Sequence, residues 1–189
     1  EVGHQTLPVL RSVYRTPIVL VPPLLAPPFL FDIFPQRSLV RYLLAQGFKV
    51  YLIDFGNPDK DHSHLSFTNY ILEWIPESLR RIRKNSGYEQ VSLFGYCMGG
   101  LFSLMYTAIS HDQNIRNIIT VASPIDMHQM GAAGKVLTLA YKPAHRIAKA
   151  LNFDLRDLNP RLLHIPGKLG TLGFHLTNPL GTLTSYWDL

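Results

Sequence analysis

One cysteine, Cys97, stands alone in 189 residues. A single thiol excludes an internal disulfide and any zinc site of the Cys-x-x-Cys kind. It also points to a reducing compartment, so the expected localisation is cytoplasmic. Charge is sparse as well. Charged residues make up 16% of the chain, 18 basic against 13 acidic, for a formal net charge of +5. That excess reads as a solvated surface with a slight surplus of lysine and arginine. No zinc-finger spacing or basic stripe with interleaved aromatics accompanies it, so no nucleic-acid partner is expected. No apolar run reaches the ~20 residues that a membrane span needs. The nearest, Ile18 to Phe34, is interrupted by Pro22, Pro23, Pro27 and Pro28, and reads as a buried strand followed by a stiff loop. No basic-then-apolar leader precedes it, so a secretory signal is not expected. No pair of side chains has metal-ligand spacing on an evident helix face, and no metal is expected. Internal repeats are lacking too.

What is present is an apolar fraction of 47%, enough for a globular domain with a real core. Four short β-branched runs stand out: Ile18–Val21, Val50–Ile53, Val91–Phe94 and Ile118–Val121. None alternates polar with apolar, so both faces of each are expected to be buried, as in a parallel sheet. Helical patterns lie between them. Residues 38–46 place Leu39, Val40, Leu43 and Leu44 on one face, and Gly47 ends the run. Residues 67–85 place Tyr70, Ile71, Trp74, Ile75, Leu79 and Ile82 at helical spacing, and Pro76 must kink or break that helix. Residues 101–110 form a third helix. Alternating strand and helix predicts right-handed βαβ units in an α/β fold. After Ser123-Pro124 the texture changes to scattered glycine, proline and short helical pieces. Residues 1–123 are therefore expected to be the N-terminal part of the core, and 124–189 the start of a helical cap.

The strand at Val91–Phe94 and the helix from Leu101 are joined by Gly95-Tyr96-Cys97-Met98-Gly99-Gly100. This is a Gly-x-Nuc-x-Gly turn with cysteine as the nucleophile. In such an elbow the nucleophile adopts a strained backbone so that its side chain projects above the sheet, and glycine flanks it because a side chain would strike the neighbouring strand or helix. Cys97 then lies at a helix N-terminus, where orphan N–H groups and the helix dipole favour negative charge. The plain alternative is a small buried core thiol; the strand–turn–helix context favours the nucleophile. An oxyanion hole is expected to combine the N–H of Met98 with one from the loop after the first strand. Pro22 and Pro23 have no N–H to give, which leaves Leu24 or Leu25.

Several stretches resemble the polyhydroxyalkanoate synthases, members of the α/β-hydrolase superfamily. They are Ser38-Leu39-Val40-Arg41, Gln46 to Asp54 (QGFKVYLID), Gly56-Asn57-Pro58-Asp59, Asn69-Tyr70-Ile71 and the cysteine elbow itself, with Ile165-Pro166-Gly167 and Tyr186-Trp187-Asp188-Leu189 resembling the cap region of that family. The similarity is greatest to the shorter synthases that work with a second subunit. Phe55 stands where the family usually has tryptophan, and Asn69 where it often has aspartate. The resemblance implies an α/β-hydrolase core, a mostly parallel sheet with flanking helices and a partial helical cap. It implies an acyltransferase that polymerises (R)-3-hydroxyacyl-CoA through a thioester on Cys97. CoA would be the leaving group of the substrate, and no further cofactor is implied. Expected partners are the growing polyester or its granule surface, a second copy of the chain and a second synthase subunit.

The elbow's chain order is nucleophile, acid, base. Ninety-two residues (189 − 97) follow Cys97. By the resemblance the acid and base come after the cap, so neither is expected in this chain and the later strands are expected to be missing. Asp126 and His128 are the local substitutes, and both are weaker readings because the base belongs on a loop beyond a further strand. His62 and His64 read as exposed loop residues. His111 ends the post-elbow helix, and His145, His164 and His175 show no partner pattern. Arg80, Arg81, Arg83 and Lys84 have the charge to meet CoA phosphates, but a run at a helix end is more often solvated surface. Two other functions remain open at this point: a capped esterase or thioesterase on the same fold, and a non-catalytic homologue that binds a synthase or a polymer granule.

Overall fold

A computed structural model describes residues 10, 13–24, 26–56 and 60–126. The chain divides into two compact units, Glu1–Asn57 with Leu65–Ile125, and Pro58–His64 with Asp126–Leu189. Of the second unit the described residues are a single turn at Lys60–His62, the two residues after it, and Asp126. The cap expected over 124–189 therefore falls, from residue 127 onward, outside the described residues.

The first unit is built on four strands, β1 (Tyr14–Val21), β2 (Phe48–Leu52), β3 (Val91–Tyr96) and β4 (Ile115–Val121), in the order β2-β1-β3-β4. Every pairing is parallel. The strand that leads into Cys97 is thus interior, with β1 on one side and β4 on the other. β1 starts four residues earlier than its apolar run. Pro17 has no N–H for a ladder, and the register with β2 shifts between Tyr14 and Ile18. The sheet separates two apolar layers. On one face Ile18, Leu20 and Phe31 pack with Leu39, Val40 and Leu43 of α1 (Leu39–Ala45). Ser38 caps α1 by accepting the Arg41 N–H at 2.9 Å. On the other face Val19, Val21, Val91 and Leu93 pack with Ile75, Leu79 and Ile82 of α2 (Ile75–Ser86) and with Phe102 and Tyr106 of α3 (Met98–Ser110). Phe102 is fully buried and touches the rings of Phe55, Phe67 and Tyr70.

Pro76 does not end its helix. The helix runs through it, and the turn before it widens into a π-helix over Asn69–Trp74. Proline cannot donate to the carbonyl four residues back and its ring crowds that carbonyl. The preceding N–H, of Ile75, reaches instead to the Tyr70 carbonyl five residues back.

Expected burial is corrected in three places. Ile118–Val121 and Val50–Ile53 were expected to be buried on both faces, yet Ile119, Val121 and Leu52 are 43%, 39% and 38% exposed, and Leu44, expected on the apolar face of α1, is exposed too. β2 and β4 are the edge strands among those described, and α3 packs against β4. Apolar composition shows that a strand prefers burial on two faces; it does not supply the second cover.

Candidate active site

β3 delivers the chain to Cys97 at the C-terminal end of a parallel sheet, and α3 begins at the next residue. Cys97 has φ 53° and ψ −121°, a conformation that L-residues avoid. Three glycines make this turn sterically feasible. A Cβ on Gly95 would collide with the backbone of Gly100. One on Gly99 would run into the Val21 carbonyl oxygen and lie 2.7 Å from that of Pro22. One on Gly100 would fall on the Ser123 hydroxyl. The sequence pattern anticipated the need for glycine; the structure identifies what each position must make room for.

Two anchors hold the strained residue. The Cys97 N–H donates to the Val121 carbonyl of β4 at 2.8 Å, and the Cys97 carbonyl accepts the Gly100 N–H at 3.0 Å to start α3. The Cys97 residue is partly exposed, so it is not a sealed core thiol. Met98 is the first residue of α3, directly after Cys97. The loop after β1 passes the start of α3, with the Val21 and Pro22 carbonyls against Gly99. Leu24 carries the first N–H after the two prolines and is partly buried against the larger core cluster. Leu25 lies outside the described residues.

His111, the one histidine described in the first unit, sits in a left-handed conformation at the C-terminus of α3. Thirteen residues of helix separate it from the elbow, about 20 Å. His62 and His64 are exposed, as expected, and their rings lie 6.4 Å apart within the second unit. Asp126 is exposed; His128, His145, His164 and His175 lie outside the described residues. Among the described residues no group of three or more His, Cys, Asp or Glu side chains is placed to hold a metal ion.

The basic run on α2 is engaged within its own unit. Arg80 and Arg81 both bond to Glu77 at 2.7 Å, and their hydrogen bonds hold that carboxyl down to about 2. Arg83 pairs with Asp112 at 2.7 Å and also donates to the Glu89 carbonyl. Lys84 is exposed. The arginines therefore read as helix surface and an inter-element tie, as the plainer reading of the run expected.

Sequence reasoning missed the turn after β4. Ala122 has φ 51°, and Ser123 buries its hydroxyl with no hydrogen-bond partner among the described residues. Nothing in the local pattern singles out either residue, because their importance comes from a close approach to α3.

The family profile described as the α/β-hydrolase fold matches residues 16–156. Among curated proteins, the poly(3-hydroxyalkanoate) polymerase subunit PhaC of Haloferax mediterranei is 38% identical over 167 residues, covering 88% of this chain and 32% of the relative. The subunit of the same name from Allochromatium vinosum is 40% identical over 110 residues, 58% of this chain and 31% of the relative. That of Synechocystis sp. is 31% identical over 173 residues, 92% of this chain and 44% of the relative. The chain thus spans between about a third and under a half of the length of these relatives. A solved structure from Sulfolobus solfataricus, assigned as a lipase, superposes with a TM-score of 0.51 at 21% identity over 61% of this chain and 39% of its own; this likeness is one of fold alone.

Proposed function

The chain belongs to the α/β-hydrolase fold family and, within it, to the polyhydroxyalkanoate synthase family, and from that premise we propose that Cys97 is the nucleophile of an acyltransferase acting on (R)-3-hydroxyacyl-CoA. The observation that carries this reading is the Cys97 backbone, held at φ 53° between an interior parallel strand and the first turn of α3. A buried packing cysteine has no use for that conformation; a nucleophile that must project above the sheet does.

In the proposed reaction the Cys97 thiolate attacks the thioester carbonyl. The carbonyl oxygen becomes an oxyanion, received by the Met98 N–H and by a donor from the loop after β1, for which Leu24 is the described candidate. The carbon–sulfur bond to CoA then breaks, and CoA leaves as its thiolate. One thioester has replaced another, so the acyl group stays activated. A hydroxyl of the growing polyester can next attack it, lose its proton to a base, form an ester and release the Cys97 thiolate. A serine at this position would give an oxygen ester and forfeit the activation, which is a chemical reason to favour transfer over hydrolysis here. The polymer surface, a second copy and a second subunit are the proposed partners, and the cytosolic granule surface the proposed location. Among the described residues no helix is long and apolar enough to cross a membrane.

The second step needs a base. His111 is the one described histidine of the first unit, at the far end of α3. As the family resemblance implies, we propose that the 189-residue chain by itself stops at the acyl-enzyme. The reading as nucleophile is tested by iodoacetamide labelling of the folded protein. Cys97 is expected to react without denaturant. Labelling that requires unfolding would return Cys97 to a core thiol.

A further inference from the structure

The elbow is braced from the side of β4 by three successive residues, each making a different approach. Val121 accepts the Cys97 N–H at 2.8 Å. Ala122 then takes φ 51°, which is uncommon for a residue with a Cβ, and the chain bends there. Ser123 comes to lie on α3, where its hydroxyl occupies the space that a Cβ on Gly100 would need and its own Cβ lies 3.2 Å from that position. The hydroxyl is buried and has no hydrogen-bond partner among the described residues. An alanine at 123 would avoid an unpaired buried hydroxyl, so stability alone does not account for the serine. Strained backbone and an unsatisfied polar atom lie together within one turn of the candidate nucleophile. Such features persist where the surrounding structure holds them for a purpose.

We propose that Ser123 is a positioning residue for Cys97: its hydroxyl seats in the notch of Gly100 and fixes the first turn of α3 against the end of β4, so that Cys97 is held in its projecting conformation. The Ser123 oxygen is the atom that fills the notch. Without it the first turn of α3 can settle toward β4, and the Gly100 N–H to Cys97 carbonyl bond moves with it. The reacting sulfur is then displaced relative to the oxyanion donors. A displacement of about 1 Å can cost up to 100-fold in rate. The proposal rests on the reading of Cys97 as nucleophile and adds a residue to it that does not touch the substrate.

The test compares single-turnover acylation of the 189-residue chain by 3-hydroxybutyryl-CoA in the parent, Ser123→Ala and Ser123→Thr, with thermal midpoints measured alongside. Ser123→Ala is expected to keep or raise the midpoint and the acylated fraction while its rate constant falls about tenfold. Ser123→Thr, which keeps the oxygen, is expected to stay within about threefold of the parent. A merely structural role would lower the amplitude and the midpoint together and leave the rate constant alone; that outcome, or a parental rate constant in Ser123→Ala, overturns the proposal. The contact itself is tested by Gly100→Ala, expected to lower the midpoint, and by Gly100→Ala/Ser123→Gly, expected to recover it. Absence of recovery also counts against the brace. If the parent chain is not acylated on Cys97 at all, the nucleophile reading fails first and the positioning role fails with it, a result distinct from equal rates in parent and variant.

Discussion

Gly99 has a carbonyl oxygen where any other residue would have its Cβ. The obstructing atom belongs to the backbone of Val21, the last residue of β1, which is paired with Gly95 of β3 and cannot swing aside as a side chain would. Overpacked cores usually lose 1–3 kcal/mol; with no flexible neighbour to yield, Gly99→Ala is expected to lose about 3 kcal/mol or more. A urea midpoint equal to that of the parent would contradict the elbow geometry. The same residue scale shows why the elbow was legible in the sequence and the brace was not. Gly95, Gly99 and Gly100 sit at fixed offsets from Cys97 and announce themselves as a motif. Ala122 and Ser123 are small residues of no evident pattern, and their role exists only once β4 and α3 are side by side.

Between elements, the strongest tie joins α2, α3 and β4 through Asp112. Its carboxylate receives Arg83 at 2.7 Å, the Tyr106 hydroxyl at 2.8 Å and the Asn114 N–H at 3.0 Å. Burial by itself would raise the Asp112 carboxyl. The Arg83 hydrogen bond, then those from Tyr106 and Asn114, outweigh it and hold the group below its ordinary value. A depressed carboxyl contributes stability that is present above the unfolded-state value and disappears as pH falls through the folded-state value. Asp112→Asn is therefore expected to cost about 3 kcal/mol at neutral pH, since it leaves the Arg83 guanidinium, 17% exposed, without its charge partner. The difference from the parent should shrink as the pH is lowered below the usual carboxylate range. A gap that stays constant through that window, measured by urea unfolding, would refute the assignment. Phe102 offers a second check on element packing. It is fully buried and meets three rings from two neighbouring segments; Phe102→Ala should cost about 4 kcal/mol. The helix that holds Tyr70 and Trp74 was readable from spacing, and so was the disturbance at Pro76. Its resolution as a π-helix was not, because the choice between a break and a widened turn depends on whether the aromatic face stays packed on Phe55 and Phe102.

At the scale of the whole molecule, the four strands and their parallel pairing follow from runs of β-branched residues without alternation. The order is β2-β1-β3-β4, with the elbow strand inside the sheet; βαβ connections fix the hand of each crossover and not this order. The exposure of Ile119 and Val121 did not follow, since composition says nothing of which surface comes to lie over a given face. Function was legible in the same graded way. A candidate nucleophile can be proposed from six consecutive residues, whereas a base cannot be proposed from local pattern, because its partner is distant in sequence and meets it only in the folded protein. The proposal that Cys97 is an acyl-accepting nucleophile, and that the 189-residue chain by itself stops at the acyl-enzyme, is tested most directly by mixing the purified chain with 3-hydroxybutyryl-CoA. Released CoA is counted per protein, and the acylated peptide is identified by mass spectrometry. The account predicts release that levels off at no more than about one equivalent, with general-base assistance worth about 10²–10⁴-fold missing from the next step, and an acyl group on the peptide containing Cys97 that is absent from Cys97→Ala. Release continuing well past one equivalent with polymer forming, or an acyl group that Cys97→Ala retains, would contradict it.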